Sequence, residues 1–197
     1  ASSFYQEALA IARTAEDRPC EIAALNHLSR IYAEQKNYSE AIDYSQRALI
    51  LSRQLGDRLG EANGLVNLGY AEIFSARQLE QVDADTYERA TSYLERGLEL
   101  AEKLKDVQSQ ALGYNSLGIA YVTLSQPAAA ITTLAKGIEL AQLCGDVYLQ
   151  GLSFVYLAEA YYSIEDKLNA LCSACLGMYF LEQIDFREWK QPAGLIA

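Results

Sequence analysis

Apolar residues recur along this chain at spacings of three and four, and short polar breaks divide them into segments of helical length. Tyr5, Ala8, Leu9 and Ala12 fall at i, i+3, i+4 and i+7, which is one face of a helix. The stretch ALILSRQLGDRLGEANGLVNLGYA, from Ala48 to Ala71, reads as the end of one amphipathic helix, a turn and the start of the next. Related phrases begin at Ala8, Gly97 and Gly137, and a weaker one at Gly177. The breaks carry Asp17, Asp57, Asp106 and Asp146, whose carboxylates can accept from the free N–H groups that open a helix. Gly56 and Gly145 suit the left-handed position just past a helix end.

The pattern predicts an all-α chain forming a single array over residues 1–197. A lone helix at 1–16 lacks its hairpin partner, and helix pairs follow at 18–55, 58–104, 107–143 and 147–183. A further pair starts at 188–197. Pro19, Pro127 and Pro192 each suit a first helical turn. The pair at 58–104 carries an insertion near 75–86 without Gly or Pro. It predicts about two extra turns on the first helix, with Asp85 or Thr86 capping the second.

Aligning the pairs gives a recurring motif. It runs Leu25-x2-Leu28-Ser29-x2-Tyr32, Leu65-x2-Leu68-Gly69-x2-Glu72, Tyr114-x2-Leu117-Gly118-x2-Tyr121 and Phe154-x2-Leu157-Ala158-x2-Tyr161. Leu28, Leu68, Leu117 and Leu157 are spaced by 40, 49 and 40 residues. Three columns hold only small side chains: Ser29, Gly69, Gly118 and Ala158; Ala41, Ala90, Ala130 and Ala170; Ala48, Gly97, Gly137 and Gly177. Small residues at repeated positions let helices approach closely while Leu and Tyr fill the space between. In these features the chain resembles the tetratricopeptide repeat family. The unit of 40 residues, without the closing Pro, looks like the repeats of kinesin light chains, Pins-type adaptors, Rap regulators and the sensor arrays of STAND-type signalling ATPases. The resemblance implies a right-handed superhelical solenoid of antiparallel helix pairs.

Charge and composition narrow the function. A formal net charge of -10 and the lack of a basic run speak against nucleic acid and anionic membrane. No apolar run reaches the ~18 residues needed to span a bilayer. A cytoplasmic protein is expected, and the opening in mid-repeat without Met suggests a piece of a longer chain. His27 is the sole histidine, so a His-based triad or His-rich metal site cannot be assembled. Cys172 and Cys175 form a CxxC inside a helix, with Cys20 and Cys144 distant in sequence; four reduced thiols, core packing and no metal or other cofactor are expected. An enzyme is not expected.

What remains is a surface. On the first helix of each pair, the side opposite the core carries Ala23, Asn26, His27, Arg30 and Glu34; then Asn63, Asn67, Tyr70 and Phe74; then Leu112, Asn115, Ser116, Ile119 and Thr123; then Leu152, Tyr156, Glu159 and Tyr162. The family resemblance makes this the lining of a concave groove. A protein or peptide partner is expected there, held by the amides of Asn26, Asn63, Asn67 and Asn115 beside Tyr70, Phe74, Ile119 and Tyr156. Family members that clamp a terminal carboxylate use Lys, Arg and Asn. Here Arg30 faces Glu34 and Glu159, so an acidic C-terminus is not the expected ligand. Two alternatives stand beside this scaffold reading: an autoinhibitory sensor array of a larger STAND-type ATPase, and a small-molecule-binding helical protein. Apolar residues near the ends (Phe4, Tyr5 and Leu9; Phe186, Trp189 and Leu195) predict weak, end-mediated self-association.

Overall fold

The computed structural model describes residues 2–79 and 84–184, and every regular element among them is an α-helix. In chain order these are α1 (Ser2–Thr14), α2 (Arg18–Glu34), α3 (Tyr38–Leu55), α4 (Arg58–Gln78), α5 (Ala84–Leu104), α6 (Val107–Thr123), α7 (Pro127–Cys144), α8 (Val147–Ser163) and α9 (Lys167–Gln183). The helices pack in sequence order, α1 on α2, α2 on α3, α3 on α4 and α4 on α5, and likewise α7 on α8 and α8 on α9. Contacts divide the chain into two compact units, Ala1–Ser109 and Gln110–Ala197.

The helix starts are set by Asp side chains. Asp17, Asp57, Asp106, Asp146 and Asp166 accept from the backbone N–H of Cys20, Gly60, Ser109, Leu149 and Asn169, at 3.0 to 3.5 Å. Each satisfies a donor that has no intrahelical partner. The preceding turns each need one left-handed residue. Gly56 and Gly145 adopt it at φ 69° and 71°, whereas Glu16 and Lys105 do so at 56° and 58° with a Cβ in place.

Cores form where the Leu and small columns meet. In the first unit, Leu9, Ala24, Leu25, Leu28 and Ala48 are buried together under Tyr5, Tyr32, Tyr44 and Leu51. Leu49, Leu65 and Leu68 form the next layer. In the second unit the equivalent cluster is Ala130, Leu134, Ile138, Leu157 and Ala160. Beside Ala41, Ser45 shares a 2.5 Å hydrogen bond with Ser29, and Ser29 also donates to the Ala41 carbonyl.

The third small column governs the helix spacing. A Cβ on Gly97 would stand 3.1 Å from the Val66 backbone nitrogen, one on Gly137 3.1 Å from that of Asn115, and one on Gly177 3.1 Å from that of Val155. The second helix of each pair thus rests directly on the backbone of the first. Ala48 holds this position in α3 and is fully buried.

Three expectations are corrected. The inserted residues do not add two turns to α4. It has 21 residues against 17 in α2, α6 and α8, so it gains about one turn, and α5, also 21, gains most of another over the 18 of α3. Because α5 begins at Ala84, Asp85 and Thr86 sit inside its first turn rather than at its cap. At the start of the chain Phe4 is exposed, but Leu9 is buried because α2 covers it, and Tyr5 stacks on His27 at 4.9 Å. Phe186, Trp189 and Leu195 lie outside the described residues.

Two buried carboxylates show opposite electrostatics. Glu21 takes a hydrogen bond from Arg13 at 2.8 Å, which holds its carboxyl below the usual range, and a second from Arg18 at 2.9 Å. Glu72, which occupies a Tyr position of the family motif, is pushed above that range by burial, with Arg89 on α5 at 3.2 Å opposing the shift only in part. A lowered folded pKa contributes stability that is present above the unfolded value of 4.5 and lost as pH falls through the folded one. A raised folded pKa does the reverse, so Glu72 costs stability once pH rises above it.

Two outcomes follow for stability. Gly137→Leu, which would drive a side chain into the Asn115 backbone, lowers the unfolding free energy by about 3 kcal/mol in urea titration. At pH 7 Glu21→Gln lowers the thermal midpoint while Glu72→Gln raises it, and the gain from Glu72→Gln is lost as the pH falls through the raised pKa of native Glu72 toward the unfolded value of 4.5.

Candidate functional site

The residues expected to face a ligand come from α2 and α4 in the first unit and from α6 and α8 in the second. The structure divides them into two sets. Asn26, Asn67, Tyr70, Asn115, Ser116 and Ile119 are buried; Asn63, Arg30, Phe74, Thr123, Tyr156 and Glu159 are half-buried; His27 is exposed.

The buried amides already have work inside the protein, which corrects the expectation that they wait for a peptide backbone. Asn26 Nδ2 donates to the Gly60 carbonyl at 3.3 Å, and Asn67 Nδ2 donates to the Asn26 carbonyl at 3.2 Å. These two bonds tie α2 to α4 reciprocally. Asn63 Oδ1 accepts from the hydroxyl of Ser109. In the second unit Asn115 Nδ2 donates to Ser153 Oγ at 2.6 Å, tying α6 to α8. Ser116 and Thr123 turn their hydroxyls back onto the Leu112 and Ile119 carbonyls of their own helix, at 2.7 and 3.1 Å. The common cause is helix packing. Within each unit, α2 beside α4 and α6 beside α8, flanking amides meet the neighbouring helix before they meet solvent.

The accessible part is aromatic with sparse charge. In the first unit the Tyr70 and Phe74 rings lie 4.5 Å apart and tilted by 36°, and Tyr38 stacks on Phe74 at 6.1 Å. Arg30 pairs with Glu34 through a 3.1 Å contact. Partial burial, and secondarily the charge of Arg30, hold the His27 imidazole below its usual pKa, so it is neutral at pH 7. In the second unit Tyr156 leans on the core cluster of α7 and α8, and Tyr162 is exposed one helical turn and a half further on. Glu159 stands between them on the same helix.

The cysteines overturn an expectation. All four are free, and all four are exposed rather than packed in a core. Cys172 and Cys175 lie on α9 at positions that α8 does not cover. Among the described residues no cluster of His, Cys, Asp or Glu is arranged to hold a metal ion, and no helix is long and apolar enough to cross a membrane. A feature missed from sequence is the set of exposed large apolar residues on α9, Leu168, Leu171, Leu176 and Tyr179. The available signal was the lack of charge at positions where the earlier second helices carry it.

Residues 1–51 match the tetratricopeptide repeat family model. No curated protein matches the sequence. Among solved structures, BtubC (BKLC) from P. vanneervenii has a similar fold, with a TM-score of 0.66 and 22% identity over 93% of this chain and 72% of that one. Tetratricopeptide repeats generally mediate protein–protein interaction on a scaffold that is typically non-enzymatic. Residues 1–51 are thus similar to the tetratricopeptide repeat, and the described residues share the helical-repeat fold of that solved structure.

Proposed function

We propose that this protein binds a peptide or helical segment of a partner protein along the first helices of its pairs, across α2 and α4 in one unit and α6 and α8 in the other. The observation that carries this is the accessible aromatic surface on those helices, Phe74 on α4 and Tyr156 and Tyr162 on α8, backed by amides already locked into the protein. Aromatic side chains on a rigid backing give contact area at low entropic cost, which is what anchors a peptide. Charge is secondary there, since Arg30 is paired with Glu34. Binding accordingly rests on shape and apolar contact, and moderate salt leaves it little changed. The four exposed thiols fit a reducing compartment, consistent with a place in the cytoplasm.

A displayed library of random peptides, selected on the full chain, tests the reading. Selected peptides share apolar anchors, and by calorimetry Phe74→Ala and Tyr156→Ala each weaken binding by about 1 to 2 kcal/mol while the circular dichroism spectrum stays that of the parent. Asn67→Ala behaves differently: it lowers stability, because it removes the bond from α4 to α2. Equal binding of the selected peptides by both aromatic variants would show that these helices do not form the binding surface.

A further inference from the structure

The chain holds four cysteines and one methionine, and three of these five sulfur residues fall within seven consecutive positions of α9. They are Cys172, Cys175 and Met178, each three residues from the next. The other two, Cys20 and Cys144, sit near the start of α2 and at the end of α7. Both thiols of α9 are exposed and Met178 is half-buried. Core packing, the role that small size suggested for the cysteines, does not apply to side chains in solvent.

Helical geometry makes the three residues neighbours. The α9 helix runs unbroken from Lys167 to Gln183, and residues three apart in a helix hold their Cβ atoms about 5 to 6 Å from each other. Long helical side chains lean back over the turn before them, which carries the Met178 thioether toward Cys175. A disulfide needs Cβ atoms within about 4.5 Å, so the unbroken helix favours two separate thiols over their oxidised pair. Two bonds of about 2.3 Å to one ion, the length zinc makes to sulfur, bridge sulfurs as much as ~4.6 Å apart. Thiols on neighbouring helical positions reach that separation by turning toward each other.

The donor set selects the ligand. Between Leu168 and Leu181 the helix has no Asp, Glu or His, so calcium and magnesium, which need carboxylates, find no partner there. Among the described residues no three His, Cys, Asp or Glu side chains are grouped to hold a metal, which removes the four-ligand zinc site that a CxxC commonly belongs to. Residues 185–197 add no Cys, Met or His. What is left is sulfur alone, two thiols and a thioether. Soft ligands of this kind select copper(I), a closed-shell ion that two or three sulfur donors suffice to hold.

We propose that Cys172, Cys175 and Met178 form a site for one copper(I) ion on α9. On binding, each thiol releases its proton to water as its sulfur bonds the metal, the neutral Met178 thioether completes the set, and no electron is transferred. The site belongs to a single helix, so it needs no partner chain. It leaves the buried side of α9, with Ala170, Ser173, Gly177 and Leu181, undisturbed.

Titration of the reduced full chain with copper(I), without oxygen and against the chromophoric chelator bicinchoninate, reads the site directly. The parent takes one ion per chain from the chelator, and X-ray absorption at the bound copper shows sulfur neighbours only. Cys172→Ser and Cys175→Ser each weaken binding about a hundredfold or more, and Met178→Leu, which keeps the packing volume, about tenfold. The double variant Cys20→Ser with Cys144→Ser binds like the parent. The cysteine variants keep the parent's circular dichroism spectrum, since the changed thiols are exposed. A parent that leaves the copper with the chelator, or variants at Cys172 and Cys175 that hold it as tightly as the parent, would overturn the site. One copper per two chains, with dimerisation on loading, would overturn a site built by one helix, and an unchanged Met178→Leu variant would overturn the third donor.

Discussion

Contact between helix backbones, with almost no side chain between them, is the constraint on which the rest of this structure depends. Gly97, Gly137 and Gly177 each sit so close to the facing helix that a Cβ would stand 3.1 Å from a backbone nitrogen. Once that distance is set, the remaining columns have defined volumes to fill. Leu134 closes over Gly118 and Leu94 over Gly69, and the Leu and Tyr positions occupy the space between pairs. Interiors packed to this density transmit any change in one column to its neighbours. The repetition of the small columns therefore persists through all four helix pairs.

Close packing also decides which polar groups remain available. Amides on the flanks of the first helices reach the next backbone and are spent there, as in the reciprocal bonds of Asn26 and Asn67. A buried amide left without partners would cost more than one that bridges two helices. The bridging amides thus hold the neighbouring first helices in register, and the side chains left accessible beside them are bulky ones such as Phe74, Tyr156 and Tyr162. Glu72 shows the cost of departing from the pattern, since a carboxylate at a buried aromatic position needs Arg89 and is still shifted toward its neutral form.

Positions that the repeat leaves open to solvent are free to change character. The outward stripe of α5 is charged and that of α9 is apolar, although both helices hold their inner columns at Ala and Gly. Packing fixes one side of each helix, and the other side is free to vary in polarity from one repeat to the next.

The sequence by itself determined the helices, their Asp caps, the left-handed turn at Gly56 and Gly145, and the three small columns. These are local or periodic properties, set by hydrogen bonding within a few residues and by repetition at fixed spacing. Helical periodicity also grouped each first helix into faces, but Asn115, Ser116 and Ile119, expected on the side opposite the core, are buried. The tertiary structure alone decided the fate of particular side chains on that side. Asn67 and Tyr70 share a helix with Phe74, yet the first two are buried and the third is half accessible, because exposure depends on how near the neighbouring helix comes. The same holds for Cys172 and Cys175. Their small size suited a core, and only the packing of α8 on other positions of α9 left both thiols in solvent.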